Sequence, residues 1–270
     1  MGLFQCSVIA TTYNQSRDLD LYLTSLEDQV EAPTFEVIIA DDGSQADTAE
    51  VIEKHRGFFG DRLKRVWHED LGYRKCKILN AALRQVSSDW IVFTDSDLIL
   101  HPLFLRDHYS KREPHSLFMG RRVDLAPTVS EWIRSHPSQL SSTEFYLRVL
   151  VSGSKNVQRL FRFSSPSVAA MLGADQVPDL LGSNFSIDRS LIEAVNGFDE
   201  ASVHYWGEDG DLFVRVRNSG AKITGHKYYA VQFHLWHKQR EPLPDAHAAY
   251  QKKLSDLSYR VCVNGLRTEN

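Results

Sequence analysis

Three groups of acids and a pair of histidines carry the chemistry this sequence offers. Trp90 to Phe93 is an apolar run that stops at Thr94-Asp-Ser-Asp97, the form a buried strand takes when it delivers carboxylates at its carboxyl end. Open α/β sheets hold their ligands at that edge. Carboxylates at i and i+2 in a turn, here Asp95 and Asp97, share a hard divalent cation with phosphate oxygens, because Mg²⁺ and Mn²⁺ favour oxygen ligands and keep positions open for substrate. The pattern is short enough to arise by chance, and two solvated acids in a turn account for it equally well.

A second apolar run, Phe35 to Ala40, ends in Asp41-Asp-Gly-Ser44. This tight turn either aims a carboxylate into the same crevice or merely precedes and caps a helix. Trp206-Gly-Glu-Asp-Gly-Asp211 places Glu208, Asp209 and Asp211 at the opening of a helix, where the macrodipole favours acids whatever their use. Trp206 beside them is an aromatic plate of the kind that stacks on sugar rings. His234 and His237, at i and i+3, have the types of metal ligands, although two histidines so spaced are more often not ligands.

The elements that must position these groups alternate. Strand-like runs at Cys6–Thr11, Phe35–Ala40, Leu63–Trp67 and Trp90–Phe93 are separated by helical patterns at Arg17–Gln29, Thr48–Phe59 and Lys75–Val86. That is the order of a parallel sheet with right-handed crossovers. Pro102–Tyr109 then reads as a helix and Leu117–Arg121 as a strand. Val129–Arg134 and Thr143–Val151 read as helices in a stretch broken by Ser, Gly and Pro. Leu181–Ile187 is expected as a strand, Arg189–Val195 as a helix, Lys227–Phe233 as a late strand, and Pro244–Tyr259 as an amphipathic helix. No Gly-x-Gly-x-x-Gly follows the first strand, which argues against a dinucleotide cofactor.

Composition narrows the function classes. With 270 residues, 42% hydrophobic and 24% charged, the chain is an ordinary globular protein, and its formal charge of −4 offers no footprint for nucleic acid. No apolar stretch reaches membrane-span length, and Met1 runs into an apolar strand too soon for a signal peptide, so a cytoplasmic location is expected. Cys6, Cys76 and Cys262 lack metal or redox spacing and read as reduced packing residues. Arg148, Lys155, Arg159 and Arg162 alternate with apolar side chains. That patch is either a solvated face over the core or a peripheral contact with the inner face of an anionic membrane.

Taken together, Thr11-Thr-Tyr-Asn14, Asp41-Asp-Gly-Ser44, Gly72 to Asn80 and Thr94-Asp-Ser-Asp97 resemble, in order and spacing, the glycosyltransferases of family 2 with the GT-A fold. Leu181 to His237, with Asn196-Gly-Phe198, Trp206 to Asp211 and the closing His-x-x-His, resembles the carboxyl-terminal segment of beta-1,4-galactosyltransferases and chondroitin-type polymerases. The resemblance implies an α/β fold, a Rossmann-like, mixed and mostly parallel sheet flanked by helices in a single catalytic domain. Residues 1–122 would be its nucleotide-sugar-binding half, 123–180 a helical insertion on the acceptor side, 181–240 the acceptor and catalytic half, and 241–270 a helical tail.

It also implies roles. Thr11, Tyr13 and Asp42, with Asp41 as a lesser partner, would contact the uridine of a UDP-sugar donor, and Arg74, Lys77 and Asn80 would lie near its base and phosphates. Asp95, next to Ser96, would meet the ribose or the metal. Asp97 would be the main carboxylate ligand of Mn²⁺ or Mg²⁺. His237, alone or with His234, would complete the shell, the family pattern often placing Met at the latter position. Asp209 would be the general base, with Glu208, Trp206 and Gly207 touching a saccharide or lipid-linked saccharide acceptor. Two other classes stay open on residue types alone. A sugar-nucleotide nucleotidyltransferase also uses metal-binding acids, although Thr11 to Arg17 lacks the glycines of its phosphate loop; a carbohydrate-binding protein on the same fold would have lost an acid.

Overall fold

The computed structural model describes residues 3–163, 165–176, 180–202, 207–238 and 253–267. The expected alternation opens the chain: β1 (Cys6–Thr12), α1 (Ser16–Glu27), β2 (Phe35–Asp41), α2 (Ala46–Phe59), β3 (Leu63–Trp67), α3 (Lys75–Leu83) and β4 (Trp90–Asp95). It continues through β5 (Leu98–Leu100), α4 (Phe104–Ser110), β6 (Ser116–Met119), β7 (Arg122–Asp124), α5 (Pro127–Ser135), α6 (Thr143–Val151) and α7 (Pro166–Met171). The last elements are β8 (Phe185–Asp188), α8 (Arg189–Ala194), α9 (Glu208–Asn218), β9 (Lys222–Gly225) and β10 (Gln232–His234).

Seven strands form one sheet in the order β3-β2-β1-β4-β8-β6-β9. The four strands from β3 to β4 run parallel, and β8 is antiparallel to both its neighbours. Parallel strands need both faces covered, and the alternation of side chains shows how this is done. Val8, Val37, Ile39 and Val92 pack with Leu19, Leu23 and Ile52 of α1 and α2 on one face. Ile9, Ile38, Ile91 and Phe93 pack with residues of α3, α8 and α9 on the other.

A second, three-stranded sheet, β5-β10-β7, stands at the carboxyl end of β4. Its apolar face, with Ile99, Val123 and Phe233, packs on α5 and α6 through Val129, Ile133 and Phe145. These short strands escape periodicity because three residues complete barely one repeat of side-chain alternation. They also revise the late part of the chain. The expected strand at Lys227–Phe233 is a turn followed by β10, while Lys222–Gly225, not anticipated, pairs with β6. The expected strand at Leu181–Ile187 begins only at Phe185. Most of the amphipathic helix expected at Pro244–Tyr259 lies outside the described residues.

Candidate active site

Candidate residues gather at the carboxyl ends of the adjacent strands β1 and β4, the edge at which open α/β sheets hold their ligands. Asp95 ends β4, and its carboxylate accepts a short hydrogen bond from the Thr11 hydroxyl of the neighbouring β1. Ser96, fully buried, donates its backbone N–H to the Thr11 carbonyl at 2.9 Å. Asp97 turns the other way. Its Oδ2 lies 3.4 Å from Nε2 of His234 and 3.3 Å from Nε2 of His237, and the two imidazole nitrogens are 3.2 Å apart.

This convergence has a structural cause. Strand β10 pairs antiparallel with β5, so that His234 lies opposite Leu98, the residue after Asp97, and the Leu235 N–H donates to the Asp97 carbonyl at 3.0 Å. The ligand atoms of the three residues lie within 4.8 Å of one another. Oδ1 of Asp97 is buried and has no hydrogen-bond partner among the described residues, which suits an oxygen that coordinates a cation. Burial pushes the Asp97 carboxyl up, but hydrogen bonds from His234 and His237 outweigh it and hold the group well below the usual carboxylate range. The hydrogen bond to Asp97 in turn raises His237. One carboxylate and two imidazoles suit a borderline or hard divalent ion such as Mn²⁺. Asp95 is not in this group. Its side chain faces Thr11 and, at 3.4 Å, Nζ of Lys75.

Lys75 ties the crevice to α9. Its ammonium lies 3.4 Å from Glu208 as well as from Asp95, and Glu208 also accepts from the Tyr73 hydroxyl at 2.8 Å. Burial works against the Lys75 charge, but Asp95, Glu208 and Asp209 outweigh it and keep the group protonated. Asp209 is held by the Gly182 N–H, 3.1 Å from its Oδ2. Burial, and then the neighbouring Glu208, push its carboxyl up to about 7, with Lys75 pulling the other way. A carboxyl poised there is suited to take a proton near neutral pH. Helix α9 itself is clamped in place: fully buried Arg215 donates to Asp211 at 2.7 Å and to the carbonyls of Val195 and Gly197 at 2.6 and 2.7 Å.

The other candidate residues divide. Asp42 accepts from His68 at 2.6 Å and from the Arg74 N–H at 3.1 Å, fastening the loop before α3 to the end of β2. Asp41 points away: it is fully buried and accepts from Arg65 and the Ser44 N–H. The turn that follows these two acids needs Gly43, whose φ is +97° and whose Cβ would meet the Asp70 backbone at 2.7 Å. Tyr13 donates to Asp70 at 2.9 Å, and the Arg74 guanidinium reaches the Glu69 carbonyl. Lys77 is exposed, and Asn80 is buried against Phe198 and Glu200, bracing the Asn196-Gly-Phe198 turn. Gly207 precedes α9 at φ +99°, and Trp206 lies outside the described residues.

Lys75 is absent from the candidates expected in this stretch, Arg74 and Lys77, although the sequence carries a signal for it. Lys75 shares a helical stripe with Ile78, Leu79 and Ala82, all buried, which turns its side chain toward the sheet. Of the basic stretch, Arg148 pairs with Glu144, Arg159 reaches the Arg122 carbonyl and Arg162 pairs with Asp107, while Lys155 is exposed. A cavity of about 370 Å³ lined by Arg84, Ile91, Arg189 and Leu266 opens at the other end of β4 and includes none of the candidate residues.

A mixed, mostly parallel sheet flanked by helices in one domain is the fold of GT-A glycosyltransferases, and solved structures of such enzymes share it. Staphylococcus aureus TarS residues 1–349 in complex with UDP superposes with a TM-score of 0.61 at 20% identity, over 93% of this chain and 64% of that one. The Pyrobaculum calidifontis mannosyltransferase PcManGT, solved with GDP-Man and Mn²⁺, gives 0.58 at 18% identity, over 94% and 70%.

The chain belongs to glycosyl transferase family 2, whose model matches residues 7–193; residues 169–238 match the model described as the N-terminal domain of galactosyltransferase. Among curated relatives, chondroitin synthase of Pasteurella multocida is 26% identical over 79% of this chain and 23% of its own length. Validoxylamine A glucosyltransferase of Streptomyces hygroscopicus subsp. limoneus is 28% identical over 81% of this chain and 49% of its own. The chain thus spans from about a quarter to about half the length of these relatives.

Proposed function

We propose that the protein is a metal-dependent, inverting glycosyltransferase that moves a hexose or N-acetylhexosamine from a UDP-sugar to a saccharide hydroxyl in the synthesis of a surface polysaccharide or glycolipid. The observation that carries this reading is the meeting of Asp97, His234 and His237 beside a second cluster, Lys75 with Asp95, Glu208 and Asp209. Chondroitin synthase among the relatives, and TarS solved with UDP-GlcNAc, support the choice of donor and product class.

In this reading Asp97, His234 and His237 would hold Mn²⁺ or Mg²⁺, which would supply positive charge to offset that of a leaving diphosphate. Thr11 and Asp42 orient the nucleoside. Asp209 takes the proton of the acceptor hydroxyl as it attacks the anomeric carbon, and Lys75 restrains the carboxylates on either side. With the base on one side of the sugar ring and the diphosphate leaving from the other, one displacement inverts the anomeric centre, in contrast to the two-step route through a carboxylate nucleophile. Glu208, with Trp206 and Gly207, borders the acceptor.

Exposed Leu147, Leu150, Val151 and Phe161 favour residues 143–163 as a face for peripheral contact with the cytoplasmic side of a membrane, where a lipid-linked acceptor would be presented. No described helix is long and apolar enough to cross a membrane. Incubation with a panel of UDP-sugars, Mn²⁺ and oligosaccharide acceptors tests the class: transfer releases UDP, a nucleotidyltransferase would release pyrophosphate, and a binding protein neither. Cosedimentation with anionic vesicles tests the membrane contact.

A further inference from the structure

The two imidazoles of the Asp97 cluster each turn one nitrogen into the cluster and the other toward an oxygen outside it. For His237 the outer partner is local, its Nδ1 lying 3.1 Å from the Lys238 carbonyl. For His234 it is Asp124, whose Oδ1 lies 3.7 Å from Nδ1. The placement follows from the small sheet. Strand β10 pairs parallel with β7, and the register sets His234 opposite Asp124, which puts both side chains on one face.

Asp124 is held from several directions. Its Oδ1 accepts from Arg122 Nε at 2.8 Å and its Oδ2 from Asn156 Nδ2 at 3.1 Å. Its backbone exchanges both hydrogen bonds with Lys155, at 3.1 and 2.8 Å. Asn156 itself sits at φ +63°, a left-handed conformation that few residues other than Gly and Asn adopt readily. The bracing therefore comes from Arg122 on the same strand and from Lys155 and Asn156 in the segment after α6.

We propose that Asp124 is a positioning residue for the cation site, a carboxylate that receives the Nδ1–H of His234 and so leaves its Nε2 lone pair facing Asp97 and His237. The inference rests on reading that cluster as a metal site. It adds that the 143–163 segment, through Asn156 and Lys155, sets the affinity of the site. A carboxylate behind a ligating imidazole fixes its tautomer and ring orientation and raises its basicity, and loss of such a partner weakens metal binding about 10- to 100-fold. Closing the remaining gap to hydrogen-bond length asks for a ring movement of less than about 1 Å.

The experiment is a titration of the metal-free chain with Co²⁺, followed by its visible absorption, and with Mn²⁺, followed by the signal of the free ion, for the wild type, Asp124→Ala, Asp124→Asn and Asn156→Ala. The expected result is a loss of affinity of about 10- to 100-fold in Asp124→Ala, with an altered Co²⁺ spectrum at saturation. Asp124→Asn, which keeps an acceptor oxygen, loses less, and Asn156→Ala shows a smaller loss in the same direction. Asp124→Asn and Asn156→Ala keep the test decisive should Asp124→Ala fail to fold. Affinity and spectrum equal to wild type in the folded variants overturn the role of Asp124 while leaving the metal site standing. A wild-type chain that takes up neither ion overturns the metal site and this inference with it.

Discussion

Gly182 stands so close to Asp209 that a β-carbon on it would lie 2.1 Å from the carboxylate oxygen Oδ2. The backbone N–H of the same residue donates to that oxygen. One glycine thus both makes room for the proposed base and aims it. Gly182→Ala is expected to displace Asp209 and to lower kcat by about 10²-fold, with UDP affinity by calorimetry nearly unchanged. A variant with wild-type kcat would show that the position of Asp209 is unimportant.

With Asp209 as the proposed base, its elevated carboxyl is expected to give the reaction a pH dependence. A base must be ionised to accept a proton, so kcat/KM is expected to rise with pH through about 7 and to fall about tenfold per pH unit on the acid side. Stability runs the opposite way. Between the ordinary value of 3.8 and about 7 the folded chain keeps a proton that the unfolded chain has lost. The contribution of this group, fully present below 3.8, is therefore lost as pH rises through that window. Asp209→Asn is expected to be more stable than wild type at pH 8, on the order of 2 to 4 kcal/mol by urea unfolding. Equal stability at pH 8 would contradict a carboxylate ionised at a cost.

Lys75 is the counter-charge of three carboxylates. Lys75→Met leaves Asp95 and Glu208 facing each other without it, at an expected cost of about 2 kcal/mol in denaturant unfolding. With its opposing pull on Asp209 gone, the acid limb of the rate profile is expected to move to higher pH. Lys75→Arg restores part of both. An unchanged rate profile in Lys75→Met would place the ammonium outside the site's electrostatics.

At the other cluster, Asp97→Ala is expected to abolish the Mn²⁺-dependent part of UDP binding, read by calorimetry with and without the ion. His237→Ala and His234→Ala are each expected to weaken it. Undiminished metal-dependent binding in Asp97→Ala would remove that residue from the site.

Much of this arrangement is legible in residue order, for identifiable reasons. Long strands buried on both faces, such as Phe35–Asp41, write an unbroken apolar run, and acids at their ends stand out against it. The three-residue strands β5, β7 and β10 write no pattern, so the sheet that carries His234 to Asp97 is invisible before the chain is folded. Asp41 and Asp42 are adjacent and chemically alike, and only the side-chain directions show Arg65 claiming the first and the Arg74 backbone the second. Asn80 belongs to a motif beside the crevice, yet its amide braces Phe198, a contact between residues remote in the chain. Gly182 gives no sign of itself because its role is the space it leaves.

The central claim is that two clusters serve a single transfer, and turnover in the presence of Mn²⁺ by wild type and Asp209→Asn tests it most directly. With one UDP-hexose or UDP-N-acetylhexosamine of a panel and an oligosaccharide acceptor, wild type is expected to release UDP and form a glycoside of inverted configuration. Asp209→Asn should bind UDP equally well and lose about 10²- to 10⁴-fold in kcat. Near-wild-type turnover by Asp209→Asn, or no UDP released by wild type from any donor, would contradict the account.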